Sequence, residues 1–241
     1  MFEMHEHEKK AQDFTFLNLN KFINKYKKYI HCSKKELMRD IPEELFKMIE
    51  NRQYYIDDDV YQKLLMYPNF KNIVDKKRDN RTVTALIYYV ITTTIYENVL
   101  IEILKNLNCQ VERTGTSFQY DMSKAKNDAD ITVVDGDNVF KLELQRSNFV
   151  LRNNPLEVKY SKINKNILNY IIDNDGNLRF LIVNVGKSSI KKYDAAYTNY
   201  LNCSHKKGYY LNNIKLDNFL KLEDVLISSN NFDDFFKKSF C

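Results

Sequence analysis

The chain has 241 residues, a length that suits one sizeable domain or a domain with a small appendage. Its hydrophobic content of 44%, with 13% aromatic residues, supports a folded core and excludes a disordered protein. The net charge of +5 is a mild basic excess, consistent with a phosphate-bearing partner without requiring one.

The chain opens MFEMHEHEKK, charged and without an apolar h-region. No secretory leader is expected, and the reading is a soluble, cytoplasmic (intracellular) protein. Met1 to Lys10 reads as a frayed tail, and a metal shared by His5 and His7 is the minor reading. His31 and His205 stand alone and read as surface residues. Cys32, Cys109, Cys203 and Cys241 form no CxxC pair, so free thiols are expected and zinc-site spacing is absent.

Phe14 to Thr82 carries a mostly helical pattern. Ser33 to Glu36 reads SKKE, a capping box opening a short helix. Pro42 precedes EELFKMIENR at a first helical position. Asp57 to Asp59 supply the N-cap and first-turn acids of the next helix, which Pro68 ends. Residues 1–80 are therefore expected to form a helical N-terminal region, with the main domain over 81–241.

Basic clusters occur at Lys25 to Tyr29, at Asp75 to Arg81 (with Lys76, Lys77 and Arg78), at Lys191 to Tyr193 and at His205 to Tyr210. Several carry tyrosines, which suits a nucleic-acid groove with some base stacking. Each taken singly is more simply a solvated face or loop. An AT-rich coding genome also inflates lysine.

Val83 to Leu107 has apolar residues on nearly every face and is expected to be a buried helix. Its longest apolar run, Ala85 to Ile91, is too short to span a bilayer. Cys109 to Asp121 alternates and reads as a strand, and Asp128 to Gln145 reads as a hairpin. Pro155 is expected to open an amphipathic helix through about Ile172, closed by the DNDGN turn. Arg179 to Val185 (RFLIVNV) reads as a strand buried in a sheet. A helix near Ser189 to Leu201 and a helical C-terminal stretch complete the expectation. The order gives an α/β (α+β) fold, a mixed central sheet flanked by helices.

The hairpin carries the chemistry. With Gly136 and Asp137 as a two-residue turn, Asp135 faces Asn138 and the other pairs follow by counting back. Val133 then faces Phe140 and Ile131 faces Leu142, an apolar face. On the other face Thr132 meets Lys141, Asp130 meets Glu143 and Asp128 meets Gln145. Directly opposed Cβ atoms lie about 5 Å apart, so two carboxylates would repel unless a cation lay between them. Mg²⁺ fits, because it takes one or two carboxylates together with waters and phosphate oxygens. The alternative is a solvent-facing edge where two acids happen to be neighbours. A third acid, Glu97 on the long helix, has Val90, Ile101 and Leu104 along its face and no basic residue at i+3 or i+4. A glutamate pressed among apolar side chains wants a metal or a strong donor. Glu102, with Lys105 one turn on, reads as a surface pair.

These residues resemble the PD-(D/E)xK nuclease superfamily, the fold of many type II restriction endonucleases. That core runs from a helix bearing a glutamate, through a hairpin bearing Asp and then (D/E)-x-K, to a helix and another strand. YENVLIEILKNLNCQVER looks like its first helix and strand, Asp130 like its aspartate, and Glu143 like its second acid. The resemblance covers roughly Val83 to Val185. Ala129 stands where the motif has proline, and Gln145 where it has lysine. An ammonium can stabilise negative charge, whereas an amide only hydrogen-bonds. Lys159, or Lys162 beside it on the expected helix, is a candidate to supply the missing charge, and Lys141 lies nearer the turn.

The resemblance implies a Mg²⁺-dependent endonuclease acting on double-stranded DNA, with Mn²⁺ able to substitute. Asp130, Glu143 and the Leu144 carbonyl would be metal ligands, Glu97 would hold a second ion or an outer water, and Gln145 would position a water. Arg146, Arg152 and Lys187, together with Lys76, Lys77 and Arg78, would contact phosphates. A restriction enzyme reading a palindrome would be a homodimer. Two other readings stay open: a degenerate nuclease fold that only binds nucleic acid, and an RNA endonuclease of viral type.

Overall fold

The computed structural model describes residues 1–67, 70–71, 74, 80–106, 109–114, 130–135, 138–145, 156–159, 167–172, 178–181, 197–203, 206–211 and 220–221. These residues combine helices with sheets in an α+β arrangement. The chain divides into two compact units, the first Met1–Glu102, the second holding Ile103–Thr114 and the strands from Ile131 onward.

The first unit is helical. Strand β1 (Phe2–Glu3) pairs antiparallel with β2 (Tyr55–Ile56). Helix α1 (Glu6–Tyr26) runs into a 3₁₀ turn at Lys27–Tyr29. It is followed by α2 (Lys34–Leu37), α3 (Glu44–Glu50), α4 (Asp58–Leu64) and α5 (Val83–Asn106). The expected capping box is present: Glu36 N–H donates to Ser33 Oγ at 3.3 Å, and Ser33 N–H donates to Glu36 Oε2. Asp57 stands at the N-cap position of α4 as expected, though its side chain makes no capping hydrogen bond. The N-terminal stretch is not a frayed tail. It forms β1 and the first turn of α1, where Glu8 Oε2 accepts from His5 N–H at 2.9 Å and turns an acidic leader into a helix start.

Helix α5 is the centre of this unit. By length and composition its 24 residues could cross a bilayer, which the apolar run alone did not suggest, yet 83% of its most apolar window is buried inside the protein. Tyr88 is fully buried, with its hydroxyl 3.0 Å from the Met48 carbonyl and 2.8 Å from that of Gln53. Burial pushes that hydroxyl's pKa well above the usual phenol range. Phe16 meets the Tyr88 ring edge-on, and Tyr96 lies against Phe22. Asn98, fully buried, donates to the carbonyls of Leu37 at 2.8 Å and Arg39 at 3.1 Å. Those carbonyls lie just before a corner where Asp40 takes φ = 71°, and the amide satisfies groups that the end of α2 leaves open. Glu102 is bonded to Arg39 Nη1 at 2.7 Å.

The second unit contains a six-stranded sheet in the order β11-β8-β7-β5-β4-β3. Its strands are β3 (Gln110–Arg113), β4 (Ile131–Asp135), β5 (Asn138–Gln145), β7 (Ile167–Ile172), β8 (Leu178–Leu181) and β11 (Leu220–Lys221). Neighbours are antiparallel except β5 and β7, which run parallel. A three-stranded antiparallel sheet joins β6 (Leu156–Lys159), β10 (Lys206–Leu211) and β9 (Tyr197–Cys203).

Several expected helices are strands. The helix expected from Pro155 to Ile172 is replaced by β6 and β7, so Lys159 sits on a strand of the smaller sheet; Lys162 lies outside the described residues. ILNYII is a six-residue run rich in β-branched and aromatic side chains, and a run that short cannot be told from a helix segment by periodicity. The end of the helix expected near Ser189 to Leu201 belongs to β9, the HKKGYY loop becomes β10, and β11 falls in the expected C-terminal helix. Tyr favours the pleated surface in YTNYLNC and KKGYYL alike, joined by Thr198 in the first.

Glu8 gives the first unit a pH dependence. Burial raises its pKa, but the N–H groups of Thr82 and His5 and the Thr82 hydroxyl outweigh that and hold it below the ordinary carboxylate value. A depressed folded-state pKa contributes stability that is present above the unfolded pKa and lost as pH falls through the folded one. Urea denaturation of the wild type and Glu8→Gln is therefore expected to show the largest difference near neutral pH, shrinking below about pH 4. A pH-independent difference would contradict this role.

Candidate metal site on the sheet

The β4–β5 hairpin adopts the register expected from its sequence. Ile131 pairs with Leu142, Thr132 with Lys141, Val133 with Phe140, Val134 with Val139 and Asp135 with Asn138. Gly136 and Asp137 themselves lie outside the described residues. Period-two alternation then sorts the faces. Ile131, Val133 and Leu142 are fully buried, while Thr132 and Lys141 on the opposite face are half-buried. One face is fixed by burial, so the register cannot slip by one residue without turning the core outward.

Asp130 is a bend immediately before β4, half-buried, at the position that continues the ladder opposite Glu143. It is held from the other side. Thr114 N–H donates to the Asp130 carbonyl at 3.0 Å, one residue past the last β3–β4 pair, Arg113 with Ile131. The hydroxyls of Thr114 and Thr132 are 3.2 Å apart, a cross-strand link that ties the end of β3 to β4. Strand β5 runs on to Gln145, and Glu143, Leu144 and Gln145 pair with Asn169, Tyr170 and Ile171 of β7. The β4 ladder has ended by then. At the level of the two acids, Asp130 is bonded to Thr114 just past β3, and Glu143 is paired to β7.

Following the pairs across the sheet shows which positions share the acids' face. Asn169 lies beside Glu143, and Arg179 of β8 pairs with Ile171, which pairs with Gln145. Asp130, Lys141, Glu143, Gln145, Asn169 and Arg179 thus occupy one face. Thr114, Asn169 and Arg179 were not singled out from sequence. The apolar run around Asn169 reads as helix in sequence, and the long separation between β3 and β4 leaves the position of Thr114 without a local signal.

Lys159 is not on this sheet. Glu97 lies on α5 in the first unit and is buried, 3% exposed, as its apolar neighbours implied. Arg146, Arg152, Lys187, Lys76, Lys77 and Arg78 lie outside the described residues. Among the described residues, no group of three or more His, Cys, Asp and Glu is arranged to hold a metal ion. The Asp130 and Glu143 positions with the Leu144 carbonyl provide only hard oxygen donors, a set that suits Mg²⁺ when phosphate and water oxygens complete the shell.

No family model, curated protein or solved structure matches the chain.

The register has a direct chemical test. Opposed positions on paired strands put Cβ atoms about 5 Å apart. A variant carrying Asp130→Cys and Glu143→Cys is expected to cross-link with a short bis-thiol reagent, read by mass spectrometry as a peptide joining the two substituted positions. The pair Asp130→Cys with Leu142→Cys, on opposite faces, is not. The reverse result would contradict the register.

Proposed function

We propose that the chain is a metal-dependent endonuclease of the PD-(D/E)xK type, hydrolysing phosphodiester bonds in duplex DNA. The observation that supports this reading is the register of β4 on β5, which ends at Ile131 with Leu142; continued by one residue, it would set Asp130 opposite Glu143. The parallel partner β7 behind β5 also accords with that core. The chain departs from the family pattern between these strands, where Leu156–Lys159 is a strand.

Asp130 and Glu143, with the Leu144 carbonyl, would hold Mg²⁺, or Mn²⁺ in its place. Bound there, the ion supplies Lewis-acid charge against the scissile phosphate and a lowered pKa for water. Thr114 fixes the Asp130 backbone through its N–H, so the carboxylate starts from a held strand end. The Gln145 amide orients water by hydrogen bonding but brings no charge. Arg179, on the same face two strands away, takes the cationic role that the missing lysine leaves open, in place of Lys159 on the other sheet.

The test is cleavage of plasmid or phage DNA with Mg²⁺ against an EDTA control. Wild type is expected to cut. Asp130→Asn and Glu143→Ala should each lose more than about 100-fold, since loss of an outer-shell partner alone already costs about 10–100-fold. Arg179→Ala should lose on the order of 100-fold as an electrostatic donor, whereas Lys159→Ala should leave the rate nearly unchanged. Cleavage of RNA but not DNA would turn the assignment to the RNA endonuclease. DNA bound but left intact with both ions would leave the binding module encouraged by Gln145.

A further inference from the structure

Strand β7 reads ILNYII, and Asn169 interrupts a run that is otherwise aliphatic or aromatic. The strand lies between β5 and β8 and is paired with both. Asparagine is depleted in strands, because a short amide contributes little to the packing that stabilises a paired one. By alternation Asn169 shares its face with Ile167 and Ile171, while Leu168, Tyr170 and Ile172 fall on the other. Nothing local to β7 calls for an amide at the middle of that face.

The register supplies a reason. Asn169 and Glu143 are partners in the parallel β5–β7 ladder. Neighbouring strands lie about 4.8 Å apart, a separation that short polar side chains at partner positions can bridge. The same level of the sheet continues past Glu143. The β4–β5 pairs end at Ile131 with Leu142, and one further step would set Asp130 opposite Glu143. On the other side, Asn169 pairs with Leu181 of β8, where the polar row stops. The row therefore reads acid, acid, amide, aliphatic across four strands.

The residue types are chemically complementary. An ionised carboxylate has about four lone-pair sites, and it accepts hydrogen bonds without donating any. A metal ion uses one or two of those sites. Ligating carboxylates are in turn hydrogen-bonded by neighbouring groups, which fix the orientation in which they meet the ion. An asparagine amide supplies two N–H donors and no charge, so it can serve a carboxylate without competing with the cation. From the pairing of Asn169 with Glu143, we propose that Asn169 is a positioning residue of the metal site, supplying the neutral donor that orients the Glu143 carboxylate. The inference rests on the reading of Asp130 and Glu143 as metal ligands, and it gives Asn169 no contact with metal or substrate.

The experiment is a Mn²⁺ titration of the full chain without nucleic acid, with free Mn²⁺ read by electron paramagnetic resonance. Thermal melting in EDTA is recorded for every variant. Asn169→Val removes the donor and installs a residue that strands favour. It is expected to weaken Mn²⁺ binding about 10–100-fold, with a melting temperature at or above that of wild type. Asn169→Thr has nearly the shape of Asn169→Val but keeps a hydroxyl donor, and it should bind Mn²⁺ more tightly than that variant. Asn169→Ala, which also removes the donor, replaces Asn169→Val in the comparison if the latter misfolds. Wild-type affinity in the donor-free variant would overturn the proposal. So would equal losses in Asn169→Val and Asn169→Thr, which would mark a packing role. Glu143→Ala that binds Mn²⁺ like wild type would overturn the proposal together with the metal site. Wild type that binds Mn²⁺ through Glu143 and Asn169 but never cuts DNA fails the nuclease reading and leaves the role of Asn169 standing. Wild type that cuts, with Mn²⁺ affinity indifferent to position 169, fails the proposal alone.

Discussion

The pairing of β4 with β5 is the constraint on which the proposed site depends. Ile131, Val133 and Leu142 are fully buried, and a strand has only two faces. Putting these three inside obliges Thr132, Lys141 and the positions of Asp130 and Glu143 to share the other side. The apolar set thus determines where the acids stand, although it touches no ligand itself. A change that loosened this burial would disperse the acids as surely as removing them, because register and face are one choice.

The end of the ladder matters as much as its middle. Thr114 holds the Asp130 carbonyl on one side, and Glu143 is paired to β7 on the other. The parallel step from β5 to β7 adds Asn169 beside Glu143 and brings Arg179 onto the same face through β8.

The hairpin was legible because alternation, a Gly-Asp pair and a two-residue separation all point to one register. The first helices were legible for a similar reason: Ser33 and Glu36 cap each other within one turn, and Asp57 stands at the start of α4. Ile167–Ile172 was misread because a short apolar run serves a helix and a buried strand equally, and the choice is made by the neighbour it pairs with. Lys159 followed that misreading onto a helix. Arg179 was hidden by the same cause, since its place on the acids' face exists only once β7 lies between β5 and β8. The acidic start of α1 was taken for a tail because the partners of Glu8 include Thr82, 74 residues away.

The most direct measurement of the central claim is metal-directed backbone cleavage. Fe²⁺ is substituted for Mg²⁺ and the bound iron is made to generate hydroxyl radicals with ascorbate and peroxide, which cut the chain where the metal sits. Breaks are predicted to cluster at Asp130 and at Glu143 to Gln145, to be suppressed by excess Mg²⁺ and to be absent in Glu143→Ala. Breaks confined elsewhere, such as around His5 and His7, or breaks indifferent to Mg²⁺, would contradict a metal held between the two strands.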